Sequence, residues 1–143
     1  NGVIPTPSDP GDPETDLRRV ATEARDRSAE LIDNWALNDA LDAIWTLVRR
    51  SNQYLEERQP WRLAKQPDSA PLLDTILWSA AEATRIAAIL LAPYIPSTSN
   101  RIMEQFGRPP IADGAWTREA EWGAVTLTQV QPGSALFPRI ETA

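Results

Sequence analysis

Apolar residues recur at helical spacing over most of the chain. The first stretch that keeps such a period is Pro13 to Ile32, where Leu17, Val20, Ala24, Ser28, Leu31 and Ile32 make a thin stripe. Asp12-Pro13-Glu14 predicts its start: Asp12 to cap the free amides, Pro13 in the first turn, and Glu14 and Asp16 at the positive end of the helix dipole. A second helix is predicted over Trp35 to Arg58. There Leu37, Leu41, Ile44, Val48, Ser51 and Leu55 line one face, and Asn38, Asp42, Trp45, Arg49 and Asn52 form a polar and aromatic stripe beside it, expected at the edge of the core. Pro60 ends this helix, because it disfavours helical geometry at Gln59 and lacks an amide. Ser69-Ala70-Pro71 opens a third helix running to about Ala92. Leu72, Leu73, Ile76, Leu77, Trp78, Ala83, Ile86, Ile89 and Leu90 make it apolar nearly all round, the pattern of a central helix. Pro93 stops it. A short fourth helix is expected to be capped by Ser97 or Thr98, to turn Ile102, Met103 and Phe106 inward, and to close on Gly107.

Beyond Arg108 the helical period is lost. Pro109-Pro110 and Asp113-Gly114 predict turns, Trp116 and Trp122 flank a charged segment, and Val125 to Val130 alternates like a short strand. The reading is an all-α fold, a bundle of four to five helices with an irregular C-terminal tail. Residues 1–12, rich in Pro and Gly, are expected to be a linker from an upstream domain. Residues 13–107 are the bundle and 108–143 a tail packed on it.

Composition narrows the chemistry. The 143 residues include neither Cys nor His, which excludes thiol and imidazole catalysis and the usual zinc sets, and the six glycines form no phosphate loop. The chain therefore looks like a binding or structural module rather than a complete enzyme. No apolar run reaches the ~18 residues of a membrane span, and no signal peptide is recognisable. Net charge is −6, which argues against generic nucleic-acid binding by a basic surface. One stretch departs from this: residues 43–66 carry Arg49, Arg50, Arg58, Arg62 and Lys65 against Glu56 and Glu57. A solvated helix face explains it as well as a binding patch does.

The segment Asn52 to Lys65, N-x-Y-x-x-x-x-x-P-W-x-x-A-K, resembles the anticodon-binding domain of methionyl-tRNA synthetases. Ala40 to Leu55 resembles the family's second bundle helix and Leu90 to Gly107 its proline-flanked helix junction. Trp116 to Gly123 followed by LFPRIE (Leu136 to Glu141) resembles the bacterial tail. The resemblance covers nearly the whole chain. It implies recognition of the CAU anticodon in initiator and elongator methionine tRNAs, with no DNA or membrane partner, in the cytoplasm. It also implies an upstream catalytic domain that uses ATP with magnesium, whereas this chain holds no cofactor. Trp116 is then expected to stack on the wobble cytosine, with Trp122 as the fallback, and Asn38 to bond the edge of that base. The family's arginine one turn later is replaced by Asp42, and Arg49 is the candidate for a phosphate contact. Arg58, Arg62 and Lys65 are expected to add positive field for the anticodon stem. Trp61 is expected to be a packing anchor between helices. The alternatives are a helical protein-interaction module of the same fold without RNA binding, and a related class I synthetase for another aliphatic amino acid.

Overall fold

Residues 2–112 and 116–139 are described by the structure, a computed structural model, without the side chains of Trp116 and Thr117. Four long helices carry the fold: α1 (Asp12–Asp33), α2 (Leu37–Arg58), α4 (Ala70–Leu91) and α5 (Pro96–Gln105). Two single-turn helices, α3 (Pro60–Leu63) and α6 (Trp116–Glu119), complete the set, with a 3-10 turn at Pro67–Ser69. The all-α expectation holds. Of the expected strand, a single antiparallel bridge between Val3 and Gln129 is found among the described residues. The expected Asp113-Gly114 turn lies outside the described residues.

Helix α1 begins one residue before the expected start, and Asp12 is not its cap. Gly11 takes that place, and its amide donates to Glu14 Oε2 at 2.9 Å. Glu14 is buried rather than simply facing the helix dipole. Its Oε1 accepts from the Tyr54 hydroxyl at 2.7 Å and lies 3.0 Å from Arg58 Nε, within ion-pair reach but not aligned as a hydrogen bond. Burial, then the bond to Glu14, push the Tyr54 phenol well above its ordinary range. These contacts explain the face that α2 buries. Its innermost positions are Ala40, Ile44, Leu47 and Tyr54; Ile44 is buried as predicted, but the core face is rotated by about one residue from the predicted Leu37–Leu41–Ile44–Val48–Ser51–Leu55 stripe. Leu37 is exposed, and Leu41, Val48 and Leu55 flank the core. A helix wedged between two neighbours buries a wider arc than one apolar stripe, and Tyr54 is drawn inward because Glu14 receives its hydroxyl.

Helix α4 is central, as predicted, packing on α1, α2 and α5. Ile76, Ala83, Ile86, Ile89 and Leu90 join Leu17, Ile44, Leu47, Tyr54 and Met103 in one core. Leu72 and Leu77, on the outer part of its apolar circumference, are 40% and 43% exposed. Glu82 and Arg85 are instead fully buried as an ion pair at 2.6 Å, one turn apart on this apolar helix. Arg85 donates to the carbonyls of Glu119 and Glu121, and the Gly123 amide donates to Glu82 Oε1 at 2.7 Å. The pair ties α6 and the turn after it to the bundle centre. Trp122 sits partly buried beside it, edge-on to Trp78 with centroids 5.8 Å apart.

Neither Ser97 nor Thr98 caps α5; Pro96 opens it after Ile95. Its other end follows the prediction. Gly107 has φ +65, its amide donates to Glu104 O, and the Arg108 amide donates to Met103 O, the paired closure of a Schellman motif. The segment expected to be a linker lies against the bundle. Ile4 is buried with Phe106 and Leu127, its amide donates to Thr128 O, and the Ser8 amide donates to Thr75 Oγ1. Gly2, at φ +77, lets the Val130 carbonyl occupy the space that a Cβ would need.

An ion pair joins α1 to α2: Arg50 Nε lies 2.7 Å from Asp16 Oδ2. The Arg50 guanidinium, then Arg19, hold the Asp16 carboxyl below its ordinary 3.8. A carboxylate depressed in the folded state stabilises the fold above its unfolded pKa and loses that contribution as pH falls through the folded value. Asp16 is 38% exposed, so solvent screens the effect and keeps it small. The domain is expected to lose stability below about pH 4. Arg50→Gln is expected to flatten this part of the acid limb in urea titrations at several pH values. An unchanged limb would show that the pair contributes nothing.

Candidate nucleic-acid interface

The polar stripe of α2 is a solvent face rather than the core edge expected. Asn38, Asp42, Trp45, Arg49 and Asn52 are all exposed. Asn38 and Trp45 are seven residues apart, two turns, so they lie nearly in line about 10 Å apart along the axis. Asp42 and Arg49 run beside them. Arg49 Nη2 lies 3.4 Å from Thr46 Oγ1, and among the described residues neither Asp42 nor Arg49 enters an ion pair. The start of α2 is fixed by two neighbours. The Ala36 amide donates to Leu31 O at the end of α1, and the Tyr94 hydroxyl, just after α4, donates to Leu37 O at 2.7 Å. Asn38 therefore stands one residue from a rigid junction, suited to holding an amide in a fixed direction.

The basic stretch of residues 43–66 does not form one patch. Arg50 is mostly buried between Asp16 and Glu57, and Arg58 is held by buried Glu14, so these two cations serve the α1–α2 contact. Arg62 and Lys65 are exposed, past the left-handed turn at Gln59. They follow the C-terminal end of α2, whose Arg58 is about 30 Å along the axis from Asn38. Trp61, expected to be a packing anchor, is 50% exposed; the family-like segment is anchored by buried Tyr54 and by Leu63.

Trp116 begins α6, which packs on α4 and α1. Its side chain, and hence the expected stacking surface, lies outside the described residues. The chain on either side is held: Asn100 Oδ1 accepts from the Ile111 amide, and Arg85 holds Glu119 and Glu121. Trp122, the fallback, is taken up in packing.

Three features of the structure were absent from the sequence reading. The Glu82–Arg85 pair has a signal, an acid and a base one turn apart in an otherwise apolar helix. Glu14 also has one, since it stands three residues after Gly11, where a capping-box acid falls. Trp35 was read as the first residue of the second helix. It instead occupies the turn before α2 at φ +59, with its residue surface 86% exposed. Asn34 and Asp33 immediately before it are turn formers that point to such a break.

Comparisons with known proteins agree with this architecture. The family described as the anticodon binding domain of methionyl tRNA ligase matches residues 4–140. The methionine–tRNA ligase of Deinococcus radiodurans is 37% identical over 141 residues, which span 98% of this chain and 20% of that ligase. The ligase of Clostridium tetani is 35% identical over 142 residues, 99% of this chain and 22% of that protein. The chain thus spans about a fifth of the length of these curated relatives. The ligand-free Mycobacterium tuberculosis methionyl-tRNA synthetase superposes with a TM-score of 0.85 at 28% identity, covering 99% of this chain and 29% of that one. The helical fold, the order of its segments and the match over nearly all its residues agree: the chain belongs to the family of anticodon-binding domains of methionyl-tRNA ligases.

Proposed function

We propose that this chain reads the CAU anticodon of initiator and elongator methionine tRNAs, as the recognition part of a class I methionine–tRNA ligase whose catalysis is performed outside it. The observation that carries the reading is the exposed α2 face headed by Asn38, next to the hydrogen-bonded α1–α2–α4 junction of a chain of this family. The family match favours this over a protein-interaction module. ATP and magnesium would serve the catalytic part. Among the described residues no cluster of three or more His, Cys, Asp or Glu is placed to hold a metal.

The chemistry is direct readout of an unpaired base. The pairing edge of cytosine presents an amino donor at N4 and an acceptor at N3. An asparagine amide matches both, with Oδ1 accepting and Nδ2 donating. Asp42 offers a second acceptor for the amino group, and its charge keeps phosphate away from that spot. Arg49, a turn beyond Trp45, supplies a cation for the backbone. Trp116 supplies the stacking plane. Arg62 and Lys65 remain for the stem at the far end, whereas Arg58 is committed to Glu14. Asn38→Ala in the full-length ligase is expected to cost about 1–3 kcal/mol of discrimination between CAU and UAU. Aminoacylation kcat/KM with the two tRNAs measures it, and an unaltered ratio would remove Asn38 from the site.

A further inference from the structure

We propose that the groove between α2 and α4, on the side away from α1, seats a further helix supplied by the stretch that precedes Asn1 in the full-length ligase. The inference rests on this chain being part of a longer ligase, and not on which residues read the anticodon.

Two apolar stripes line the groove. On α4, Leu73, Leu77, Ala80, Thr84, Ala87 and Leu91 alternate at spacings of four and three residues, which puts them on one face. This is the side of α4 that the bundle leaves open. All six keep some exposure, Leu77 as much as 43%, whereas Ile76, Ala83 and Leu90 on the neighbouring face are buried. On α2, Leu37, Leu41, Val48 and Leu55 form the facing edge, and none of them is fully buried. Arg50 and Tyr54 reach Asp16 and Glu14 from the opposite flank of α2, so this edge is turned away from α1. The bond from the Tyr94 hydroxyl to Leu37 O sets the start of α2 against the end of α4. The two helices therefore run antiparallel, and their stripes lie side by side for about 27 Å at ~1.5 Å per residue.

Neither stripe is suited to water. Neither holds a charged residue. The hydroxyls of Ser51, on the inner side of the α2 edge, and of Thr84 turn back onto their own helices, to Leu47 O and Ala80 O, each at 2.8 Å. The outward face of α1 is different, with Arg19 paired to Asp16 and Glu23, and Arg27 to Glu30. A seam of alternating four- and three-residue spacing on each of two neighbouring helices suits a third helix laid between them.

The path of the chain indicates which segment fills the groove. Ile4 packs with Trp78 and Ala81, on the flank of α4 next to the open stripe. Residues before it need to cross only one helix width, about 10 Å, which three or four extended residues span. Material for such a helix exists in the family, since this chain spans 20% and 22% of two of its curated relatives. An amphipathic helix of about five turns would match the length of the seam.

The test uses the full-length ligase. Leu77→Cys and Val48→Cys place a thiol in the groove, and Glu23→Cys places one on the outward face of α1. Maleimide labelling is followed by mass spectrometry of the labelled peptide, each rate being taken relative to the same variant unfolded in urea. The two groove thiols are expected to react at least tenfold more slowly than the Glu23→Cys thiol, because a covering helix keeps the reagent out. Rates within twofold of Glu23→Cys overturn the inference. Leu77→p-benzoylphenylalanine identifies the occupant: irradiation should link it to a peptide from the stretch before Asn1 of the same chain. A link to a second copy, to bound methionine tRNA or to another part of the ligase overturns the inference. Discrimination between CAU and UAU by the unaltered enzyme tests the anticodon reading separately, so either can fail without the other.

Discussion

Replacing Arg85 with Met is expected to destabilise the domain by about 3–5 kcal/mol, the cost of leaving a buried charge without its partner. Glu82 would remain fully buried with only the Gly123 amide to receive. The carbonyls of Glu119 and Glu121 would lose their donor at the same time. Replacing Glu82 and Arg85 together by apolar residues should cost less than Arg85→Met alone, because no unpaired charge is left, although the tail carbonyls still lose their bonds. Urea unfolding at neutral pH measures both variants. A loss under about 1 kcal/mol for Arg85→Met would mean that water reaches this pair and that it does not hold the tail. The consequence for function follows from position. Arg85 grips the chain three and five residues after Trp116, so faster amide exchange at Glu121 to Gly123 should accompany weaker tRNA binding.

The second large effect is expected at Trp116 itself. In the full-length ligase, Trp116→Ala should remove a stack worth about 1–3 kcal/mol and lower aminoacylation kcat/KM for the CAU tRNA accordingly. Methionine activation without tRNA should not change, because it needs no anticodon. The contrast separates a lost stack from a damaged enzyme. An equal loss in both reactions would assign Trp116 to stability, and no loss in either would remove it from the site.

The helices were legible because their signals are local. Pro60 and Pro93 mark breaks, Gly107 supplies a left-handed closure, and the unbroken apolar run of α4 announces a central helix. The face of α2 was misjudged because apolar periodicity counts Leu37 as core and cannot see that Tyr54 has a buried acid waiting for it 40 residues earlier. The positive stretch of residues 43–66 dissolved for the same reason. Arg50 and Arg58 find their acids on α1, a pairing across the fold that charge along the chain does not reveal. Trp35 was missed because a tryptophan in a left-handed turn runs against propensity. The residues proposed to meet the anticodon came from resemblance in order and spacing. The structure adds the exposure of Asn38, Asp42 and Arg49 on α2 and the hydrogen bonds that tie the start of that helix to its neighbours.

The central claim is that this domain distinguishes the anticodon CAU. The most direct measurement changes the RNA and leaves the protein alone: kcat/KM of the full-length ligase for its methionine tRNA with CAU, against the same tRNA with the wobble cytosine replaced by uracil. Loss of a matched amide–base pair and a weaker stack predicts a fall of at least tenfold, from about 1–3 kcal/mol for each contact. Equal kcat/KM for the two tRNAs would contradict the account.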